Sequence, residues 1–248
     1  MEIIGLLASR YGYRRYLELC TATTGNYYGN LDRRVLSTAH RLMYNCKTGF
    51  DDGFIIDFQS DTLDISQCLA QIRGKGLRYD IILVDPFHEY DTSYRDLSNA
   101  FDLIDEGGML VVHDCLPPSA EIATPEFIPG DWCGVTYRAY LDFVRARLDL
   151  EYKTVDVDYG CGLIRKLDRR SRWTKSLQMI KGSFLDPNSR RRSDCRQRQL
   201  IWRQWRGIGT DHERAFCFFE LHKKQLLNLI SPDELLAMLS KPRQVAAS

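Results

Sequence analysis

Asp80-Ile81-Ile82-Leu83-Val84-Asp85 sets four consecutive β-formers between two acids. A strand wet on one face alternates apolar and polar residues, so an unbroken apolar run of this length belongs in a sheet covered on both faces. Downstream, Leu97, Ala100, Phe101 and Ile104 recur at helical spacing and predict an amphipathic helix. Glu106-Gly107-Gly108 follows, where glycine is expected to supply the left-handed cap that ends the helix. Met109–Val112 reads as the next buried strand. Strand, helix and returning strand form a βαβ unit, and right-handed crossover makes the two strands parallel neighbours.

The same alternation extends in both directions. Tyr16–Leu19 is a short candidate strand, followed by a Thr/Gly/Asn-rich loop over Thr21–Asn30. Arg41–Cys46 and Phe54–Phe58 are further candidate strands, and Ile65–Ile72 has helical apolar spacing. After a proline-rich loop, Cys115–Trp132, the segment Val135–Leu148 reads as a helix. Glu151–Val157 and Cys161–Leu167 flank Asp158-Tyr159-Gly160 as a hairpin. A parallel sheet that ends in an antiparallel hairpin is unusual for dinucleotide-binding folds and usual for class I methyltransferases. The expected fold class is therefore α/β: a Rossmann-like class I methyltransferase sheet, mostly parallel, with a terminal antiparallel hairpin. A basic and helical extension follows it.

Composition agrees with one sizeable core and excludes several classes. Of 248 residues, 44% are hydrophobic and 27% charged, with a formal net charge of +1, which excludes disorder and collagen-like or coiled-coil chains. There is no apolar run long enough to span a membrane, and the start MEIIGLLASRYGYRRY lacks the basic opening and small-residue cleavage site of a signal peptide. Eight cysteines without a C-x-x-C pair fit neither a disulfide scaffold nor a zinc ribbon. The expectation is a cytoplasmic protein with reduced, mostly buried thiols.

The net charge conceals an asymmetry. Between Arg165 and Arg206 stand 14 Lys/Arg and 3 Asp/Glu, whereas the remainder holds 20 basic and 30 acidic residues. The chain therefore divides, on charge, into an acidic body over residues 1–167 and a basic segment with C-terminal helices over 168–248.

Asp85 and the pair His113-Asp114 fall at the carboxyl ends of two predicted strands, 28 residues apart. Open α/β sheets bind ligands at that edge, so Asp85, His88, His113 and Asp114 are expected to converge on one site. Two carboxylates and an imidazole suit a divalent cation. The plainer reading of each acid alone is a helix cap or a partner for an arginine, and that of His88 a hydrogen-bonded loop histidine.

Val84-Asp85-Pro86-Phe87-His88-Glu89-Tyr90 and Glu106-Gly107-Gly108-Met109-Leu110-Val111-Val112-His113-Asp114-Cys115 together resemble a D-x-x-H-x-Y plus G-G-x-x-x-x-H/E-D pattern. The pattern is that of S-adenosylmethionine-dependent O-methyltransferases acting on sugars and related natural products. That group includes macrolide-sugar and mycobacterial polysaccharide methyltransferases, and rhizobial enzymes that methylate the fucose of nodulation factors. The resemblance runs from Tyr16 to Leu167, about 60% of the chain. It implies Asp85 and Asp114 as Mg²⁺ ligands, with His113 standing where relatives often carry Glu, and His88 as general base. Physical chemistry agrees, because a sugar hydroxyl needs both metal coordination and a nearby base to attack a methyl group at neutral pH.

For the cofactor, the resemblance sets Tyr16-Leu17-Glu18-Leu19-Cys20 in the place of a Y-L-E-I-G motif, with Glu18 toward the amino group of S-adenosylmethionine. Cys20 and Gly25 then belong to the loop around its methionine part, Ser60 and Asp61 to the adenine end, and Asp85 also to the cofactor site. The chain departs from the pattern in two places. Cys20-Thr21-Ala22-Thr23-Thr24-Gly25-Asn26 has one glycine, and no acid for the ribose hydroxyls is evident around Asn45-Cys46. An inactive cofactor-fold binding protein is therefore an alternative.

Thr136, Tyr137 and Tyr140 resemble a late helix of the family, and simple packing is the plainer reading of all three. The Pro117–Trp132 loop, just beyond the expected metal ligands, is a candidate acceptor loop. The implied acceptor is a glycan or glycolipid, with the 2-O position of a fucosyl group in a nodulation-type lipo-oligosaccharide as the specific expectation. In the basic segment, arginines interleave with Trp173, Trp202 and Trp205. That composition suits docking on the acidic body, an anionic membrane surface, or nucleic acid, and the last motivates an RNA methyltransferase as a further alternative. Phe216–Leu229 and the helix capped by Ser231-Pro232-Asp233-Glu234 are expected either to pack on the body or to form a homo-oligomer interface.

Overall fold

The computed structural model describes residues 3–21, 27–46, 53–168, 171 and 190–241, with backbone alone at 190–195. In chain order the elements are α1 (Ile3–Tyr11), β1 (Arg15–Thr21), β2 (Thr38–Tyr44), β3 (Phe58–Gln59), α2 (Ser66–Gly74), β4 (Tyr79–Asp85), α3 (Tyr90–Leu103) and β5 (Ile104–Val112). Then come α4 (Thr136–Arg145), β6 (Leu150–Val155), β7 (Cys161–Lys166), α5 (Arg190–Arg206), α6 (His212–Leu226), β8 (Leu229–Ile230) and α7 (Pro232–Ser240).

The strands form one sheet in the order β3-β2-β1-β4-β5-β7-β6-β8. β1 to β5 are mutually parallel, and β7 runs antiparallel to both β5 and β6. This is the expected mostly parallel sheet with a terminal antiparallel hairpin. The hairpin turn has left-handed φ at both central residues, 51° at Asp158 and 55° at Tyr159, the sign pattern of a type I′ turn whose twist suits flanking strands. Because β7 is reversed, that turn emerges at the edge where the parallel strands end.

Side-chain alternation on β4 and β5 divides the core between two faces. Ile81, Leu83 and Val111 meet Ile4 and Leu7 of α1 and Leu235 of α7. Ile82, Val84, Leu110 and Val112 belong to the larger cluster with Phe101 of α3 and Tyr137, Tyr140 and Phe143 of α4. The plain reading of Tyr137 and Tyr140 as packing residues holds, since both are fully buried.

Three boundaries differ from the sequence reading. β2 starts at Thr38 rather than Arg41, and of Phe54–Phe58 only Phe58 enters a strand. α3 ends at Leu103 and passes directly into β5, so Gly107 and Gly108 do not cap a helix. They form an irregularity in β5, where the β4 register jumps between Tyr79–Ile104 and Ile81–Met109. Gly107 has φ 82°, and a Cβ on Gly108 would stand 2.7 Å from the Asp80 carbonyl oxygen, so backbone approach explains the pair.

The division at residue 168 does not separate two cores. Ile201 and Trp205 of α5 and Phe219 and Leu226 of α6 share the larger cluster, and β8 adds to β6 at Thr154–Leu229 and Val155–Ile230. α7 begins with the N-cap expected at Ser231, which the structure completes as a capping box, its hydroxyl accepting from the Glu234 amide at 3.1 Å. Among the described residues no helix is long and apolar enough to cross a membrane, and no disulfide joins the seven described cysteines.

Candidate functional site

The carboxyl ends of β4 and β5 lie side by side, and the chain turns sharply after each. Asp85 is the last residue of β4, and His113 and Asp114 follow β5. Asp114 has φ 59°, a conformation that costs a non-glycine residue on the order of 1 kcal/mol or more. Neighbouring bonds hold it there. The His113 amide donates to Val84 at 3.0 Å, Cys115 to Gly160 at 2.9 Å and Leu116 to Tyr159 at 2.7 Å.

One ligand atom from each of Asp85, His113 and Asp114 falls within 4.8 Å of the others. His113 Nδ1 is 3.0 Å from Asp114 Oδ2 and 3.8 Å from Asp85 Oδ1. His88 comes from the turn after β4, with Nε2 3.3 Å from Asp114 Oδ2. All four side chains named from the sequence thus meet at one place, as right-handed crossover required.

Their surroundings differ, and so do their protonation tendencies. Burial lowers the pKa of His88, against the field of Asp114, so its imidazole is neutral at physiological pH. His113 is equally buried, but hydrogen bonding to Asp114 and the charges of Asp85 and Asp114 outweigh desolvation and carry it up to about 10. Asp158, on the hairpin turn, contributes from the far side, with Oδ2 3.1 Å from His113 Nε2. It also accepts from the Tyr27 hydroxyl. Sequence reasoning read Asp158 as a turn residue; the reversed direction of β7 is what delivers it to this edge.

His88 is held on several sides. Its Nδ1 is 3.3 Å from Thr136 Oγ1 at the start of α4, and Trp132 meets its ring edge-on at 5.3 Å between centroids. Its carbonyl accepts from Val135 N at 2.9 Å. Gly134 permits that approach: its φ is 54°, and a Cβ there would stand 2.2 Å from the His88 carbonyl oxygen. Thr136, read from sequence as packing, therefore also positions His88, and the loop ending in Trp132 covers it. A cavity of about 480 Å³ opens beside His113 on the α1 face, lined by Tyr27, Leu31, Leu83, Val111 and Asp158 among others.

The donor set fits a divalent cation. Two carboxylates supply hard oxygens and an imidazole adds a nitrogen, a mixture that Mn²⁺ accepts more readily than Mg²⁺.

Of the residues expected at the cofactor end, Glu18 and Cys20 lie on β1 beside β4, and Ser60 and Asp61 follow β3. Glu18, fully buried in β1, accepts from Tyr16 OH at 2.8 Å and from Cys20 Sγ at 3.7 Å, and lies 3.7 Å from Arg41 Nε of the adjacent strand. Cys20 is the strand partner of Asp85, buried beside Met43 and Cys46. Ser60 and Asp61 follow β3, three strands from β4; the Ser60 hydroxyl donates to the Thr62 and Asp64 carbonyls at 3.1 and 2.6 Å. Gly25 lies outside the described residues. Between β1 and β2 the described residues contain a single 3₁₀ turn, Tyr28–Asn30, and no α-helix.

A strand order of 3-2-1-4-5-7-6 with one reversed strand defines a class I methyltransferase-type α/β fold. Among solved structures the chain is similar to the O-methyltransferase TomG from Streptomyces achromogenes, solved in complex with S-adenosylmethionine. Identity is 17%, the match covers 67% of this chain and 79% of TomG, and the TM-score is 0.50, a likeness of fold. An O-methyltransferase from Bacillus cereus with bound S-adenosylhomocysteine matches at 15% identity over 66% of this chain and 79% of its own, with a TM-score of 0.49. No protein-family model matches the chain, and no curated protein does.

Proposed function

We propose that this protein is an S-adenosylmethionine-dependent O-methyltransferase that methylates a hydroxyl of a glycan or glycolipid. The observation that carries the reading is the convergence of Asp85, His88, His113 and Asp114 at the carboxyl edge of a methyltransferase-type sheet. The sugar acceptor rests on the D-x-x-H and H-D motif resemblance, with the fucosyl 2-hydroxyl its most specific form.

In this reading Asp85 and Asp114 hold the cation, and His113 completes the set once it gives up its proton. A cation held there would polarise the acceptor hydroxyl as a Lewis acid. His88 would take the proton of the acceptor hydroxyl, and S-adenosylmethionine, when bound, would give its methyl group to that oxygen and leave as S-adenosylhomocysteine. Burial suits His88 to that step by favouring the neutral imidazole; with Nδ1–H given to Thr136 Oγ1, Nε2 is the nitrogen that takes the proton, and Asp114 beside it would stabilise the imidazolium. Trp132 and the cavity wall exclude water.

The test is titration of the purified chain with S-adenosylhomocysteine, then methyl transfer to glycan and glycolipid pools with and without EDTA. Saturable cofactor binding with EDTA-sensitive transfer supports the proposal; absence of cofactor binding overturns it. A second reading, a cofactor-fold binding protein without activity, is favoured by the Glu18 carboxylate, which is engaged by Tyr16 and Arg41 inside the sheet. It predicts no transfer to any acceptor.

A further inference from the structure

α5 forms a groove against the end of α4 and the start of β6, with a volume of about 890 Å³. It sits at the amino edge of the sheet, where β6 begins, opposite the carboxylate cluster. Its apolar lining includes Val144, Leu148, Leu150, Leu200 and Trp202. Leu148 is 69% exposed and Leu200 59%, so two large aliphatic side chains stand in water within one concavity.

Arg145, Arg147, Arg196, Arg198, Arg203 and Arg206 line the same groove, and among the described residues no Asp or Glu does. Asp149 engages Arg147 through two bonds of 3.0 Å, and Asp142 lies 3.8 Å from Arg145. Arg198 donates to the Asn228 side chain at 2.6 Å. Arg196, Arg203 and Arg206 have no acidic partner among the described residues. The acidic body thus neutralises the α4 end of the groove and leaves the α5 side cationic.

Guanidinium groups keep their charge at every accessible pH, and a cluster of them beside exposed aliphatic surface presents both a charge and an apolar face that an amphipathic anion would cover. We infer that this groove docks the protein on an anionic phospholipid surface, with arginines taking the phosphates and Leu148 and Leu200 meeting the acyl region. Nucleic acid fits less well because stacking needs open aromatic faces. Trp205 is buried, with Nε1 donating to Asp142 at 3.0 Å; Trp202 and Tyr152, in the groove wall, are half-buried against the core, and its most exposed apolar groups, Leu148 and Leu200, are aliphatic.

The test uses the full chain with vesicles of phosphatidylcholine, or of phosphatidylcholine mixed with phosphatidylglycerol, read by co-sedimentation across a salt series. The protein is expected on the anionic vesicles only, with binding that falls as salt rises. Combining Arg196→Gln, Arg203→Gln and Arg206→Gln should weaken partition roughly a hundredfold, and each single change roughly fivefold. Leu148→Ser with Leu200→Ser should weaken it at unchanged charge. Circular dichroism confirms that each variant is folded. Equal binding to neutral vesicles, indifference to the arginine changes, or capture of single-stranded RNA without vesicle binding overturns the inference.

Discussion

His88 Nε2 stands 3.3 Å from Asp114 Oδ2, although the two residues leave different strands and are separated by the whole of α3. The contact pairs a histidine whose charge burial opposes with an acid locked in a left-handed turn. Under the proposed function this is the proton-accepting pair. His88→Ala should lower kcat by about 10²–10⁴-fold while S-adenosylhomocysteine binds as before. Calorimetric binding alongside turnover checks this; a loss of cofactor affinity equal to the loss of rate would refute a role as base.

Cation preference follows from the donor set. With an imidazole among carboxylates, Mn²⁺ should bind more tightly than Mg²⁺, and Asp114→Asn should weaken Mn²⁺ roughly tenfold or more. His113→Asp should shift preference toward Mg²⁺. Paramagnetic detection of bound Mn²⁺ with Mg²⁺ as competitor reads each of these without requiring an acceptor.

Gly134→Ala introduces a Cβ into the His88 carbonyl at a left-handed φ. It should destabilise the fold by about 1–3 kcal/mol and reduce activity further by displacing His88. Gly74→Ala, where the new methyl group meets nothing within 4 Å, is the control and should be neutral or stabilising. Thermal melts of the two variants should therefore move in opposite directions, or only the first should move.

Asp96 is fully buried beneath the Tyr44 hydroxyl, which donates to it at 2.6 Å while accepting from the Phe87 amide, also at 2.6 Å. Burial pushes its pKa up to about 6, resisted by Arg95 and Tyr44. The unfolded carboxyl titrates near 3.9, so the native state keeps a proton that the unfolded state loses between about pH 4 and 6. Stability from this group is therefore greatest at low pH and declines, by on the order of 2–3 kcal/mol, as pH rises through 6. Asp96→Asn, which fixes the neutral form, should be more stable than the parent at pH 7.5 and should flatten that limb of the denaturation profile.

Removal of residues 168–248 should not leave a stable methyltransferase domain. The deletion strips Trp205, Phe219 and Leu226 from the larger cluster, and buried side chains of this size contribute about 1.5–3 kcal/mol each. It also takes β8 from β6. A truncated chain that is monomeric and melts cooperatively would show instead that the two parts fold separately.

The amino-acid sequence alone determined the βαβ centre and the residues gathered at its carboxyl edge. Ile81–Val84 and Met109–Val112 are legible because strands buried on both faces need unbroken apolar runs, and one crossover rule then brings Asp85, His88, His113 and Asp114 together. Local patterns were less informative where backbone contact decides. Gly107 and Gly108 look like a helix cap in sequence but serve a strand irregularity pressed against Asp80. Gly134 shows no signal until the His88 carbonyl is seen against it.

Only the tertiary structure decided what surrounds the candidate residues. Asp158 reaches His113 because β7 is reversed, and Glu18 is engaged by Arg41 because β1 and β2 pair in that register. The basic segment was legible as charge but not as partner: packing buries Trp205 and sets arginines without an acidic partner among the described residues beside exposed leucines. Such outcomes depend on strand direction, register and burial between residues far apart in the chain, and these are properties of the packed whole.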